Sequence, residues 1–147
     1  MKRVITFGTF DVLHVGHVNI LERARALGDQ LIVGVSSDAL NIKKKGRSPV
    51  YCQEDRIKII SALRCVDHVF VEESLEAKRD YILQWGAHIL VMGNDWEGRF
   101  DDLSDCCEVK YLPRTPSIST TEVIEVVRRG GAVGSRVAVG GLAGVTK

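Results

Sequence analysis

Short apolar runs, rich in branched residues, alternate with segments of helical periodicity along most of this 147-residue chain. The runs predict five strands, at residues 3–7, 30–35, 67–71, 88–92 and 108–112. Apolar stripes predict helices at 15–27, 54–63, 75–85 and 120–129, the last one capped by Ser119, and the polar, basic segment 36–50 predicts a loop. Because repeated strand–helix–strand units build parallel sheets, we expect an α/β fold: a Rossmann-like, doubly wound parallel sheet of about five strands with helices on both faces.

Charge and hydropathy limit the classes of partner. Lys and Arg number 20 against 19 Asp and Glu, a net charge of +1, which argues against a broad basic surface for nucleic acid. No apolar run approaches the ~20 residues of a membrane span. We therefore expect no nucleic-acid partner, no membrane partner and a cytoplasmic location. The four cysteines form no C-x-x-C pair and are expected to be reduced thiols rather than metal ligands.

The loop after the first predicted strand carries the chemistry. It reads GTFDVLHVGH over residues 8–17, which is neither a G-x-G-x-x-G fingerprint nor a Walker loop. His14 and His17 fall on one side of the first turn of the following helix, where free N–H groups and the helix dipole favour an anion. Gly8 and Gly16 permit close approach. The pattern predicts a phosphate site in which two imidazoles stabilise charge on a leaving pyrophosphate; the alternative is two incidental histidines.

Ligands of such sheets bind beyond the carboxyl ends of the strands. We therefore expect three loops to meet there, at residues 8–14, 93–100 and 113–121. The third loop precedes the last predicted helix and offers Arg114 together with hydroxyls and N–H groups at the helix N-terminus, which is a second anion-binding arrangement.

Four motifs in unbroken order resemble the nucleotidylyltransferase superfamily. They are GTFD-x-x-H-x-G-H at 8–17, RCVD at 64–67, MGNDWEGRF at 92–100 and RTPSISTT at 114–121. The third motif is similar to glycerol-3-phosphate cytidylyltransferases. The resemblance implies a catalytic domain over residues 1–129. Residues 130–147 have six of the 14 glycines and no acidic residue, and this composition predicts a flexible extension, with a packing strand as the alternative. Two positions depart from the family pattern: Ser117 stands where Gly is usual, and Leu75 where Trp is expected.

The resemblance implies transfer of CMP from CTP to a small phosphomonoester, first of all glycerol 3-phosphate, giving a CDP-linked product and pyrophosphate. An adenylyltransferase, a cytidylyltransferase for phosphoethanolamine or a sugar phosphate, and a nucleotide-binding module without turnover remain alternatives. The acceptor phosphate, with its second pKa near ~6, is already largely a dianion and needs no general base. Mg²⁺ is expected to be carried by the nucleotide phosphates with no dedicated protein metal site, and the resemblance implies a homodimer.

The family's functional residues map onto this chain motif by motif. Catalytic roles are implied for His14, His17, Lys45 and Arg114, with the lysine match ambiguous between Lys44 and Lys45. Nucleotide binding is implied for Gly8, Thr9, Phe10, Asp11, Gly16, Arg64, Asp67, Met92, Thr115, Ser119 and Thr120. Acceptor binding is implied for Lys44, Arg56, Asp95 and Trp96. Asp11 is expected to orient His14 or help hold magnesium. A surface ion pair is the alternative for Arg64 with Asp67, and a solvated helix residue for Arg56.

Overall fold

A computed structural model describes residues 1–116 and 118–132. The described part is a parallel five-stranded sheet with helices in the connections. The strands are β1 (Arg3–Gly8), β2 (Gln30–Ser36), β3 (His68–Glu72), β4 (Ile89–Gly93) and β5 (Glu108–Leu112). The helices are α1 (Val15–Arg25), α2 (Asp38–Lys45), α3 (Gln53–Ser61), α4 (Lys78–Trp85) and α5 (Thr120–Arg129), with 3₁₀ turns at Asn94–Trp96 and Asp101–Asp105.

The strand order is β3-β2-β1-β4-β5, so the order reverses beside the central strand β1. Successive β1 side chains alternate between two cores: Val4 packs with Leu21 and Ile60 on one face, and Ile5 packs with Ile82 on the other. Helices α1 and α3 thus cover one face and α4 the other, as expected for a sheet whose strands are buried on both sides. The predicted Rossmann-like parallel sheet of five strands is confirmed.

The predicted loop at 36–50 is wrong, because its first half is helix α2. Ser37 caps this helix by accepting the Leu40 N–H at 3.0 Å, and Gly46 ends it in the left-handed conformation with φ 74°. Within α2, the side chains of Leu40 and Asn41 are buried. The basic run that made the segment look like a loop occupies the exposed last turn, where lysines also suit the helix dipole.

Other helix bounds differ from the sequence expectation by a few residues. Helix α4 begins at Lys78 rather than at residue 75, since the preceding residues form turns. Helix α1 ends at Arg25, two residues short of the prediction. Helix α5 is as predicted: it runs from Thr120 to Arg129, and the Ser119 hydroxyl accepts the Glu122 N–H at 3.1 Å.

The guanidinium of Arg56 ties four segments together at the carboxyl ends of β1 and β2. Its side chain is 0% exposed and its Nη2 lies 2.7 Å from an Asp38 oxygen. The same group donates to the carbonyls of Thr9 at 2.9 Å, Ser36 at 2.8 Å and Tyr51 at 3.0 Å. The alternative of a solvated helix residue is therefore wrong. The guanidinium expected to meet the acceptor is largely committed to holding the protein together.

Residues 133–147 and Ser117 fall outside the described residues, so the flexible extension and the effect of Ser117 stay predictions. Gly130, where that extension was expected to begin, caps α5 with φ 72°. Among the described residues, no helix has the length and apolar character that crossing a membrane requires.

Replacing Arg56 by Met is expected to lower the free energy of unfolding by about 3 kcal/mol, because one buried charge partner is removed from a hydrogen-bonded network. Urea denaturation followed by circular dichroism measures the loss. Lys58→Met, on the same helix but exposed, is the matched control and should change stability by less than about 0.5 kcal/mol. Equal stabilities for the two variants would contradict the assignment.

Candidate anion-binding site

The loop between β1 and α1 holds two residues in a conformation that side chains usually avoid. Phe10 has φ 54° and Val12, which is β-branched, has φ 48°. Such backbone costs on the order of 1–3 kcal/mol per residue and persists only where the surroundings enforce it. Strain of this kind clusters at functional sites, which agrees with the chemistry predicted for this loop.

Asp11, between these two residues, supplies part of the enforcement. Its carboxylate is buried and accepts the N–H groups of Val50 at 2.7 Å and Tyr51 at 2.9 Å. Its own carbonyl accepts the Thr120 hydroxyl at 3.0 Å. The sequence led us to expect that Asp11 orients His14 or helps hold a magnesium ion. In the structure its carboxylate instead binds the segment that follows α2 and so fixes the loop.

His14 and His17 form a reciprocal cap at the start of α1. Nδ1 of His14 accepts the Gly16 N–H at 3.0 Å, and Nδ1 of His17 accepts the His14 N–H at 3.2 Å. The two rings stack with centroids 3.8 Å apart. Because a backbone N–H can only donate, each Nδ1 must be unprotonated and each Nε2 carries the ring proton. Among residues 1–116 and 118–132, the only hydrogen bonds of the two rings are those at Nδ1, and both Nε2–H donors have no protein partner there.

The surroundings also keep both rings neutral. Burial and then the charge of Arg114 lower the pKa of His14. Burial, the neighbouring His14 and Arg114, in that order, lower the pKa of His17 to about 3. The site therefore presents two neutral N–H donors at a helix N-terminus at physiological pH.

Glycine is required where this loop is crowded. A Cβ on Gly16 would lie 2.8 Å from Cε1 of His14 and 3.2 Å from Cγ2 of Ile118. Ile118, two residues before α5, thus packs against the first turn of α1, and a side chain at position 16 would displace the His14 ring. A Cβ on Gly8 would lie 2.8 Å from the Phe10 ring, which is itself buried. Gly8, Gly16 and Phe10 accordingly shape the loop through their packing.

The three expected loops do meet at this edge of the sheet. Thr120, at the start of α5, binds the carbonyl of Asp11. Thr115 accepts the Asn19 side-chain amide of α1 at 3.1 Å. Arg114 lies 4.0 Å from the carboxylate of Asp95, which follows β4. Both of these charged side chains are about half exposed, at 55% and 48%, so the pair is weak and open to a charged ligand.

A buried ion pair lies at the end of β3, beside the lysines of α2. Nζ of Lys78 is 2.6 Å from Glu72, with the two side chains 5% and 2% exposed, and 4.7 Å from the Phe7 ring centroid. Partial burial and the charge of Lys45 lower the pKa of Lys44, with Glu72 acting in the opposite direction. Lys44 and Lys45 occupy the last turn of α2.

Three sequence-predicted residues are not brought to this site. The carboxylate of Asp67 accepts the Leu31 N–H at 2.8 Å and lies 3.2 Å from Arg25, so it fixes the amino end of β2, opposite the phosphate loop. Arg64 is exposed in the turn that precedes β3, at the same amino edge. The side chain of Met92, in β4, is buried in the apolar core on the α4 side of the sheet.

Trp96 follows β4 as expected and packs on Phe100 with ring centroids 5.6 Å apart.

Sequence reasoning missed the buried polar residues Asn41, Glu72 and Lys78. A lysine and an acidic residue six positions apart gave no periodic or motif signal. Asn41 lay in a segment taken for a loop. These three side chains are buried at the carboxyl edge of the sheet because α2 and α4 pack there, and this packing is visible only in the structure.

If both Nδ1 atoms accept backbone N–H bonds, long-range ¹H–¹⁵N spectra should show His14 and His17 as Nε2–H tautomers at pH 7. Because the pKa of His17 is depressed to about 3 in the folded state, the folded protein binds fewer protons than the unfolded chain between pH 3 and 6.5. Stability should therefore fall as the pH is lowered through this window.

The His17→Gln variant, which lacks the titrating ring, is the control for that pH dependence. Urea denaturation at a series of pH values should give it a shallower slope than the wild type. A protonated His17 at pH 6, or equal slopes for the two proteins, would contradict the assignment.

Comparison with known proteins identifies the family of this chain. The cytidylyltransferase-like family model matches residues 5–126. The chain is 48% identical over 127 residues to the glycerol-3-phosphate cytidylyltransferase of Bacillus subtilis, covering 86% of this chain and 98% of that protein. It is 48% identical over 123 residues to the protein of the same name from Staphylococcus aureus, covering 84% and 92%.

A solved structure supports the fold. The lipopolysaccharide core biosynthesis protein of Thermoplasma volcanium superposes with a TM-score of 0.68 at 24% identity, covering 78% of this chain and 98% of that one.

Nucleotidyltransferases of this family generally use a divalent metal ion with the nucleotide, and CTP with a small phosphate-bearing substrate fits the family. The family model covers most of the chain, and the histidine pair at the N-terminus of α1 lies within the match. This chain therefore belongs to the cytidylyltransferase-like family of nucleotidyltransferases.

Proposed function

We propose that this protein transfers CMP from CTP to glycerol 3-phosphate, releasing pyrophosphate and a CDP-linked product. The observation that carries the proposal is the pair of neutral imidazoles at the N-terminus of α1, whose Nε2–H donors are open to phosphate oxygens. The identity of 48% to two glycerol-3-phosphate cytidylyltransferases supports the base and the acceptor.

The reaction needs a site that positions anions rather than one that moves protons. A phosphate oxygen of the acceptor attacks the α-phosphorus of CTP, a new P–O bond forms, and the bond to pyrophosphate breaks. The attacking oxygen is already deprotonated at neutral pH. The two Nε2–H donors and the start of α1 stabilise the charge that grows on the phosphates, and neutral donors fixed in place by their own caps need no reorganisation.

The nucleotide phosphates are best placed between the N-termini of α1 and α5. Thr120 links the start of α5 to the phosphate loop, and the charge of Arg114 is close enough to influence both histidines. Arg114 then offers a positive charge to the triphosphate. Ser119 caps α5 by accepting the Glu122 N–H. The earlier backbone N–H groups of this turn, including that of Thr120, would bind phosphate oxygens together with the Thr115 hydroxyl.

The acceptor is best placed between α2 and the ends of β3 and β4. Lys44, Lys45 and Lys78 bring three positive charges to this region, and Glu72 and Asp95 bring two negative ones. A dianionic phosphate suits the excess positive charge, while a carboxylate such as that of Asp95 can accept bonds from glycerol hydroxyls. Trp96 stands beside Asp95 in the same turn. Arg56 contributes by holding Thr9 and Asp38, since its guanidinium is buried.

We propose that the metal ion of the reaction is carried by the nucleotide phosphates. Within residues 1–116 and 118–132, no group of three or more His, Cys, Asp or Glu side chains is arranged to hold a metal. Mg²⁺, which usually relies on substrate phosphates and water, would neutralise phosphate charge when bound. The homodimer, the cytoplasmic location and the assignment of the reaction to residues 1–129 stay predictions of the sequence resemblance.

A pyrophosphate-release assay tests the proposed substrates. We expect turnover with CTP and glycerol 3-phosphate, and at least tenfold less when ATP replaces CTP or when phosphoethanolamine, phosphocholine or a sugar phosphate replaces the acceptor. Release with ATP and none with CTP would make the protein an adenylyltransferase. Binding of CTP without release for any acceptor would make it a nucleotide-binding module.

The His17→Asn variant separates the catalytic donor from the structural cap. The Asn carbonyl can still accept the His14 N–H, but the variant lacks the Nε2–H donor. We expect kcat to fall about 100-fold or more, as when a single oxyanion donor is lost, with little change in urea stability. His17→Ala, which loses both functions, should fall further in stability; near-normal turnover of His17→Asn would remove His17 from catalysis.

A further inference from the structure

The side chain of Asn41 is the buried group that the mechanism above leaves without a role. It is 1% exposed and lies in the first turn of α2. Its Nδ2 lies 2.9 Å from the Ser37 carbonyl, 3.3 Å from the Ser36 carbonyl and 3.0 Å from the Ser36 hydroxyl. Its Oδ1 lies 2.9 Å from the Thr9 hydroxyl.

The chemistry of these partners fixes the orientation of the amide. The carbonyls of Ser36 and Ser37 can only accept, so the NH₂ group must face them. Oδ1 then faces Thr9 and accepts its hydroxyl proton. With that proton committed to Asn41, the oxygen of Thr9 presents lone pairs to its other neighbours, and the threonine is held in a single orientation.

This bond connects two parts of the site that no motif links. Thr9 lies in the loop that leads to His14, and Asn41 lies in the helix whose last turn carries Lys44 and Lys45. The loop contains the strained residues Phe10 and Val12, so it depends on side-chain contacts to keep its shape. An amide bonded to Thr9 on one side and to the end of β2 on the other sets the loop relative to the lysine helix.

We propose that Asn41 is a positioning residue for the transfer reaction: through the Thr9 hydroxyl it holds the loop of the catalytic histidines in register with the lysines of α2. The proposal rests on the function proposed above. Asn41 itself is buried and acts through Thr9.

The structure predicts that Asn41→Ala still folds. The carbonyl of Ser36 also accepts from Arg56 at 2.8 Å, and the carbonyl of Ser37 also accepts the Asn41 N–H at 3.0 Å. Both carbonyls therefore stay paired after the substitution. The Thr9 hydroxyl loses its bond to Asn41 Oδ1 and keeps only the Ser36 hydroxyl, 3.2 Å away, so the variant probes the connection between α2 and the loop.

The test is a double-mutant cycle on kcat and KM with CTP and glycerol 3-phosphate. We expect Asn41→Ala to lower kcat/KM at least tenfold, mainly through kcat, because displaced reacting groups reduce the rate steeply. In the Thr9→Val background, where no hydroxyl remains to be oriented, the same substitution should cost less than twofold. In the Thr9→Ser background the hydroxyl is kept, and most of the loss should return.

Ser37→Ala is the matched control for a merely structural role. It removes the α2 cap, the bond from Leu40 N–H to Ser37 Oγ, and leaves Asn41 and Thr9 in contact. It should lower kcat/KM less than threefold even where urea denaturation shows a comparable loss of stability. Equal losses for Asn41→Ala and Ser37→Ala, or the full tenfold loss of Asn41→Ala in the Thr9→Val background, would overturn the proposal.

Amide hydrogen exchange separates failure of this proposal from failure of the proposed function. If the wild type turns over no substrate pair, the function is wrong, but exchange at residues 8–14 still reports on the loop. Faster exchange there in Asn41→Ala and not in Ser37→Ala supports the positioning role. Unchanged exchange in Asn41→Ala contradicts it.

Discussion

The carboxyl edge of the sheet, where the candidate site lies, depends on the buried guanidinium of Arg56. Four protein oxygens surround it, from the phosphate loop, the end of β2, the start of α2 and the segment before α3. A charge that is fully buried must be paired and hydrogen-bonded, since an unpaired charge there costs several kcal/mol. The fold therefore brings these four segments together at one point, and the catalytic loop is held at that point.

The same edge shows how a strained loop becomes a rigid anion site. Positive φ values at Phe10 and Val12 would relax in an isolated peptide. In the folded chain the Asp11 carboxylate ties the loop to Val50, and the Asn41 amide ties it to α2. The histidines that follow are fixed by their own caps. In the proposed function, donors that are fixed before the phosphates bind need no reorganisation when charge develops, which is where such sites gain most of their effect.

The sequence predicted the sheet, the order of its elements and the phosphate loop, because apolar periodicity and a local motif carry those features. It did not predict helix α2, whose lysine run resembled a loop and whose capping depends on Ser37 and Gly46. It also placed Asp67 at the nucleotide site, although that carboxylate binds Leu31 at the opposite edge. Roles of buried polar side chains depend on tertiary contacts, and sequence spacing alone does not encode those contacts.

The central claim is that the acceptor phosphate attacks CTP directly, in one displacement, and that the two histidines donate hydrogen bonds to the phosphates without forming a covalent bond. The configuration at the α-phosphorus tests it most directly. With glycerol 3-phosphate and a single diastereomer of CTP carrying sulfur on the α-phosphorus, the product's configuration is read by ³¹P NMR. A single displacement inverts the configuration, so inversion is expected. Retention would require two displacements through a covalent enzyme intermediate and would contradict this claim.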